Sequence, residues 1–597
     1  MADRQFDPPT LAALLHQRAA EDRPAGGLFR SDRGRWIRQS WTEVAVSAVR
    51  IGAWFVGRGV REGELIGLWA PNSDRWIVAD LAIASAGCVT VAFDPAWPAE
   101  MVVAEAARLN VRHICVGSSA QRTELEDRGW RFGSSGTCLT IEPGVDDALQ
   151  ATGFGASRIG AAEAVPLLKE WATQRRPEQA ATLIFTSGTD GSPRAVEISH
   201  GAVCSLVESL RKSYLPPGPH RLLCYLPLAH AIGRLLSVYL PLREGASVYV
   251  SKGHTHLRAE IKHVRPTVFL GVPRVWEKVW CAFEASPGAP FDAQHALRSG
   301  VRRALEMLAD QQSQSRRLRH RVTSRLSSLL QALLLRQLGF DQARLLLSGG
   351  APLRDGVQRG LHTLGIKVLE AYGQTESIVT CLSLPDAWRR GSVGRPLRGT
   401  TVSIAEDGEL LVKNTHLFTR YYGDSDATER SRHGDGWFRT GDQASLDDDG
   451  YVRITGRKKA LIVTSVGRKV APEPLESLLM SITGVGHAVV VGEGRKHLTA
   501  LITPTRPLLP HEGALKCELL ARIQARAQVI NASIAAYEQI KSIHLLSEPF
   551  QSGRGELTQL GKVRREAVTA RYAAEIDAMY LDAALRSHVS LDQPGSS

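Results

Sequence analysis

Leu183-Ile184-Phe185-Thr186-Ser187-Gly188-Thr189-Asp190-Gly191-Ser192-Pro193-Arg194 runs from three apolar residues into hydroxyls, glycines and a carboxylate, with a cation close behind. The apolar triplet predicts a buried strand, and the abrupt change of composition predicts a loop at its end. Gly188 and Gly191 let the backbone curl so that successive N–H groups converge on one anion. The hydroxyls of Thr186, Ser187 and Thr189 add further donors. The G-x-x-x-x-G-K-[ST] spacing of a P-loop is absent, so such an anion need not sit on a helix N-terminus.

Toward the N-terminus, residues 42–58 carry helical periodicity, 64–69 read as a strand, 74–86 as a helix, and 89–93 and 114–116 as strands. This is βαβ alternation, and it predicts a largely parallel sheet. Toward the C-terminus, 200–211 read as a helix. Residues 343–353 form a strand running into Gly349, Gly350 and Ala351, and 367–371 a strand opening into Tyr372-Gly373-Gln374-Thr375-Glu376. Ligands usually sit at such carboxyl ends of parallel strands. Residues 391–409 read as β-structure followed by a long polar turn. Next comes Asp435-Gly436-Trp437-Phe438-Arg439-Thr440-Gly441-Asp442, whose last carboxylate is suited to accept from two adjacent hydroxyls. Asp447-Asp448-Asp449-Gly450 lacks an EF-hand continuation and reads as a hairpin turn. From Leu461 onward, strands at 461–464, 487–493 and 497–505 with a helix at 474–482 make a compact α+β unit.

In order and spacing these motifs resemble the adenylate-forming superfamily, which includes acyl-CoA synthetases, firefly luciferase and the adenylation domains of peptide synthetases. The resemblance covers nearly all of residues 10–570. The usual phosphate loop is roughly [YF]-T-S-G-T-T-G-x-P-K-G. Here Asp190 stands for Thr or Ser, Arg194 for Lys and Ala195 for Gly. A carboxylate ~5 Å from a phosphate would be repelled by ~3 kcal/mol at an effective dielectric near ~20, so Asp190 must point away or meet a magnesium ion. Leu226-Pro227-Leu228-Ala229-His230 and Val272-Pro273-Arg274-Val275-Trp276-Glu277-Lys278 are similar to the long-chain fatty acyl-CoA synthetase branch, the second as a core and tunnel-wall element.

The resemblance implies an α/β fold. A large domain over residues 1–459 holds layered, parallel-rich sheets with helices and a β-subdomain. A small mobile α+β domain spans 460–587, and 588–597 form a disordered tail. It implies activation of a fatty acid, of long-chain type, by ATP and Mg²⁺ to an acyl-AMP, then thioester formation with coenzyme A. Thr186 to Gly191 and Arg194 would hold the phosphates. Gly349, Gly350, Ala351, Tyr372 and Gly373 would seat adenine, and Thr375 would bond a phosphate oxygen. Glu376 with Thr186 would hold Mg²⁺, Asp442 and Arg457 would fix the ribose, and His230 would lie beside the reacting carboxylate. Lys562, in Gly555-Glu556-Leu557-Thr558-Gln559-Leu560-Gly561-Lys562, would bridge that carboxylate and the α-phosphate. The small domain would rotate about Gly456-Arg457-Lys458-Lys459-Ala460, where Ala460 replaces the usual Asp or Glu. Val466 removes one glycine of a Gly-Gly turn. A fatty acyl-AMP ligase serving an acyl carrier protein is the nearest alternative. A degenerate nucleotide-binding or regulatory protein is another, favoured by Asp190, Ala460 and Val466 and opposed by intact Glu376, Asp442, Arg457 and Lys562.

Composition agrees with these expectations. With 597 residues the chain exceeds one core, and 43% hydrophobic with 22% charged residues reads as globular. The N-terminus MADRQFDPPTL has acids and prolines where a signal peptide needs an apolar stretch, and the longest apolar run, near 81–93, is too short to span a bilayer. Eight scattered cysteines fit reduced thiols in a cytoplasmic protein. Of the net charge of +12, much lies between Arg298 and Arg336, where nine arginines face Glu306 and Asp310. No aromatic interleaving accompanies them, so nucleic acid is not expected. A surface helix is expected there, with apolar Val322, Leu326, Leu329, Leu330, Leu333 and Leu334 on one face. An alternative use is peripheral contact with anionic lipid at the inner membrane face.

Overall fold

Residues 183–185 lie inside the strand Ala180–Ser187, the pivot of a seven-stranded sheet. The computed structural model describes residues 9–580, apart from 22–25, 132–135, 142–158, 188–192, 254, 282–330, 459–460, 466–467, 510, 533 and 559–560. On one side of the pivot, Val89–Ala92, Leu65–Trp69, His113–Val116 and Thr137–Thr140 follow in parallel. On the other, Pro193–Ser199 and Arg420–Tyr421 pair antiparallel. The strands Leu65–Trp69, Val89–Ala92 and His113–Val116 are buried at every residue, as a sheet covered on both faces requires. Helices Trp41–Val56 and Asp74–Ser85 supply one cover, each started by a serine whose hydroxyl accepts from the first turn (Ser40 from Glu43, Ser73 from Trp76). The expected βαβ region is therefore present.

A second sheet has the order Arg35–Gln39, Gly27–Asp32, Ser247–Val250, Arg221–Cys224, with a hairpin joining its first two strands. In a third, Val268–Gly271, Leu345–Gly349 and Val368–Tyr372 run parallel and two short antiparallel strands extend them. One apolar core runs through these layers, with Trp76, Trp276, Phe55 and Phe340 among its largest fully buried side chains.

The β-subdomain is an antiparallel sheet of Thr400–Ile404, Glu409–Asn414, Trp437–Leu446, Arg432–His433 and Val452–Arg457. Here one expectation needs correction: the stretch after Glu409 is not a long polar turn. Leu410, Leu411 and Val412 are buried in a strand, Phe418 and Tyr421 enter the core, and Asp424 caps the helix Ser425–Arg430 through the N–H of Ala427. Few but well-spaced apolar residues outweigh a polar composition. The hairpin at Asp447–Gly450 forms as expected, with Arg389 bonding both Asp447 and Asp449.

Beyond Leu461, Val485–Val491, Leu498–Pro504 and Ile540–Leu545 form a three-stranded sheet against helices Pro472–Met480 and Gly513–Ala532. Leu475, Leu479, Val490, Ala500 and Ile523 give it a core of its own. The phosphate-loop residues Gly188, Thr189, Asp190 and Gly191, together with Ala460, Val466 and the tail after 580, lie outside the described residues. So does the basic segment up to 330; at 331–338 the chain is helical with Leu334 buried and Leu333 and Arg336 exposed. Among the described residues no helix is long and apolar enough to cross a membrane. Among the described residues no disulfide joins the eight cysteines, and five of them are buried.

Candidate active site

Strands Ala180–Ser187, Leu345–Gly349 and Val368–Tyr372 end in the segments that the motifs single out. Thr186 sits at the first of these ends, half-buried, in register with Arg194 on the returning strand. Arg194 lies 5.7 Å over the ring of Tyr421 and 3.9 Å from Asp424. Gly349 pairs in register with Ala371. Gly350 has φ +85°, a conformation that disfavours any side chain, and Ala351 beyond it is exposed.

The turn after Tyr372 is tight for a visible reason. A Cβ on Gly373 would come within 2.2 Å of the Ile378 carbonyl oxygen, so only glycine lets the chain double back. Ile378 donates to the Gln374 carbonyl at 2.6 Å and holds φ +54°, a strained value for a β-branched residue. This fold-back leaves Thr375 half-buried and drives Glu376 into the interior.

Asp442, on strand Trp437–Leu446, is 4% exposed and is the most heavily bonded group of the site. Its Oδ2 accepts from the Tyr372 hydroxyl at 2.6 Å and from the Gln374 amide at 3.2 Å, and its Oδ1 faces the Arg457 Nε at 3.1 Å. Antiparallel register brings Asp442 and Arg457 together, since they are directly paired across the hairpin. Burial, then the Asp442 charge, pushes the Tyr372 hydroxyl well above the usual range, so it stays a donor. Gln374 also donates to the Thr440 carbonyl at 3.0 Å, which completes a fixed polar corner.

Glu376 accepts from the Tyr421 hydroxyl at 2.7 Å, and burial raises its pKa. Among the described residues no group of three or more acidic, His or Cys side chains surrounds a metal position. Mg²⁺ would need only one or two carboxylates, with water and phosphate oxygens in its other positions. Glu376, with one oxygen committed to Tyr421, has a second oxygen to offer such an ion as a carboxylate, and the cation's charge would oppose the rise that burial imposes.

His230 begins the short helix Ala231–Arg234, and its Nε2 stands 3.6 Å from Asp94. Burial lowers its pKa, Asp94 opposes that, and the charges of Lys562 and Arg234 lower it further. The preceding backbone is clamped by Asn72, which donates to the Leu226 carbonyl at 2.7 Å and accepts from the Leu228 N–H at 2.9 Å. Beneath it lies Arg234, fully buried, bonding the Leu228 carbonyl at 3.2 Å, the Tyr239 hydroxyl, Thr182 and, at 3.5 Å, the buried Asp80. The chain then widens into a π-helix, Leu235–Tyr239. Beside it is an apolar cavity of about 30 Å³ lined by Leu210, Tyr214, Ile232, Leu235, Leu270 and Leu347 among others. None of residues 272–278 lines it, so the motif is not a wall of this cavity; only its Trp276 is core, fully buried and donating to the Gly271 and Leu347 carbonyls, while Arg274 and Lys278 are exposed.

Lys562 comes from the other unit. A bridge between Leu557 and Val563 and paired bonds between Thr558 and Lys562 make a tight loop that presents it. Its side chain is exposed, yet the protein mass around it lowers its pKa; Arg457 adds to that and Asp442 opposes it. The structure thus brings Lys562 near enough to His230, Arg457 and Asp442 for their charges to bear on one another. Sequence reasoning missed Gln374, Tyr421, Asn72 and Asp94. Asp94 alone had a signal, an acid at a parallel strand's carboxyl end.

Residues 16–422 match the AMP-binding enzyme family, and residues 459–584 match the AMP-binding enzyme C-terminal domain. The chain is 30% identical to a protein of Mycobacterium bovis named long-chain-fatty-acid–CoA ligase FadD15, over 92% of this chain and 94% of that one. Its fold is similar to that of ATP-bound MatB from Rhodopseudomonas palustris (TM-score 0.70, 20% identity, 94% and 99% of the two chains). It is also similar to a Mycobacterium tuberculosis fatty acyl CoA synthetase (TM-score 0.63, 20% identity, 95% and 99%).

Proposed function

The chain belongs to the AMP-binding enzyme family, and from that premise we propose that it is an AMP-forming fatty-acid–CoA ligase acting on long-chain acids. The observation that supports the reading is the Asp442–Arg457 pair, with Lys562 within range of its charges and of His230. The fatty carboxylate attacks the α-phosphorus of ATP, forming acyl-AMP and releasing pyrophosphate. The thiol of coenzyme A then attacks the acyl carbon and AMP leaves. Both anions must be brought together before the first step, so positioning and charge cancellation dominate its cost.

In this reading Lys562 lies between carboxylate and α-phosphate, whose charges would offset the burial and the Arg457 charge that lower its pKa. Asp442 takes the ribose hydroxyls in competition with Tyr372 and Gln374, while Arg457 steadies it. Gly349, Gly350, Ala351, Tyr372 and Gly373 receive adenine. Thr186, Ser187, Gly188, Thr189, Asp190, Gly191, Thr375 and Arg194 serve the phosphates. Glu376 with Thr186 would hold Mg²⁺, which when bound offsets phosphate charge. Burial and the Lys562 and Arg234 charges favour the neutral form of His230, against the pull of Asp94, which weakens any ion pair with the substrate carboxylate.

The acid's tail is assigned to the apolar cavity. At about 30 Å³ it is far too small for a long chain, so Ile232 and the π-helical wall must part. Residues 1–459 and 460–587 act as body and moving part. Peripheral contact of the 298–336 segment with anionic lipid, at the cytoplasmic face, would bring the enzyme to its substrate, and an acyl carrier protein is the alternative acceptor. Incubation with ATP, Mg²⁺ and C8 to C18 acids, with and without coenzyme A, tests the reading. Acyl-CoA formed only with coenzyme A, and best from the longer acids, is expected. Acyl-AMP that persists despite coenzyme A would move the assignment to the carrier-protein ligase.

A further inference from the structure

The segment Pro273–Cys281 contributes nothing to the nucleotide corner or to the apolar cavity, yet it carries charged residues on a helix pinned by the fully buried Trp276. One of them, Glu277, holds Arg354, with its Oε1 3.0 Å from the Arg354 Nε. Arg354 stands just after the turn that follows Gly349 and Gly350, where Leu353 is tethered to Glu370 at 3.3 Å. Its remaining nitrogens point across to the other unit. Nη2 donates to the Gly486 carbonyl at 2.7 Å and Nη1 to the Val485 carbonyl at 3.3 Å.

The receiving backbone is irregular. Between Val485 and Ala488 the strand pairing slips, with three steps on this strand opposite two on its partner. A β-bulge of this kind turns carbonyls out of the ladder. Gly486 is required there, because a Cβ would meet the Pro504 carbonyl oxygen at 2.4 Å. The next residue, His487, interacts with the Gly561 backbone and feels the charges of Arg274 and Arg354. Gly561 also packs close to Arg274, and it immediately precedes Lys562.

We propose that Arg354, aligned by Glu277, is a positioning residue that latches the bulge at Val485 and Gly486 and thereby holds Lys562 near Asp442 and Arg457 during acyl-adenylate formation. The assignment rests on the ligase reading for its chemistry, but the latch itself is a contact between units. A guanidinium fixed by a carboxylate and donating to two carbonyls is directional, so it selects one orientation of the small unit over others. The thiol step needs the small unit to leave that orientation, so it gains nothing from the latch.

The test separates the half-reactions in Arg354→Ala, Arg354→Lys and Glu277→Gln variants. Acid-dependent ATP–pyrophosphate exchange should fall by about tenfold or more in Arg354→Ala and less in the other two. Conversion of supplied acyl-AMP and coenzyme A to acyl-CoA should stay within about twofold of the parent. Equal losses in both steps, or none in either, would overturn the proposal. A second readout needs no catalysis: spin labels on the two exposed cysteines, Cys281 of the large unit and Cys517 of the small one, report their separation. Arg354→Ala should broaden a narrow distance distribution, and an unchanged distribution would refute the latch. A parent protein without exchange activity whose distribution still broadens on Arg354→Ala would retain the latch and reject the ligase reading.

Discussion

The polar corner around Asp442 and the apolar cavity beside the π-helix sit side by side and are built on opposite plans. At the corner, Asp442, Tyr372, Gln374, Thr440 and Arg457 form a closed set of bonds at 2.6–3.2 Å before any ligand arrives. At the cavity, aliphatic side chains and Tyr214 enclose about 30 Å³ beside a π-helix, with little directional bonding to oppose rearrangement. Preorganised donors discriminate by leaving the wrong ligand unpaired, whereas apolar packing discriminates by shape and by small increments per methylene. Under the proposed reading, a single fold would therefore fix the nucleotide while remaining adjustable toward the acid.

The sharpest way to break this contrast is to attack the polar group hidden under the apolar end. Arg234→Met leaves Asp80 buried and uncompensated, and should cost about 4 kcal/mol in denaturant unfolding. Asp80→Leu combined with Arg234→Met should recover most of that. Failure of the double variant to recover would mean that the Arg234 bonds to Leu228 and Thr182 matter more than the ion pair.

Next in size is the floor of the nucleotide end. Burial pushes the Glu370 carboxyl up to about 7, opposed by its bond from the Leu353 N–H, with Asp355 adding to the rise. The unfolded chain ionises Glu370 near its ordinary value, so the stability it contributes is full below that pH and is lost as pH rises through about 7. Glu370→Gln removes this dependence. Between pH 4 and pH 8 the variant should gain on the parent by about 3 kcal/mol, measured by denaturation at both pH values. A difference independent of pH would show that Glu370 stays ionised in the fold.

Asp442→Ala should reduce kcat/KM for ATP by about a hundredfold while leaving the ranking of acids unchanged. Ile232→Ala should do the reverse, changing the preference between acids of different length by about tenfold with little effect on the KM for ATP. Were either variant to move both properties together, the two ends would be coupled and the contrast would fail.

The same contrast explains what was legible in the sequence. Motif residues such as Asp442, Arg457, Tyr372 and Glu376 reach the site through strand ends and hairpin register, which short patterns report. Gln374 occupies a position that the motif leaves open, and Tyr421 lies in a stretch whose composition reads as a turn. Asp80 and Arg234 meet across 154 residues of separation, and Arg354 with Gly486 across units, through packing that no local pattern encodes. The cavity is the extreme case, because its volume depends on how leucines from several elements interdigitate.

The most direct test of the account follows the oxygen atoms. The acid is supplied with both carboxylate oxygens labelled as ¹⁸O, together with ATP, Mg²⁺ and coenzyme A, and the products are weighed by mass spectrometry. Attack of the carboxylate on the α-phosphorus predicts one ¹⁸O in AMP and none in pyrophosphate. Unlabelled AMP, or label in a phosphate released from the other end of ATP, would contradict it.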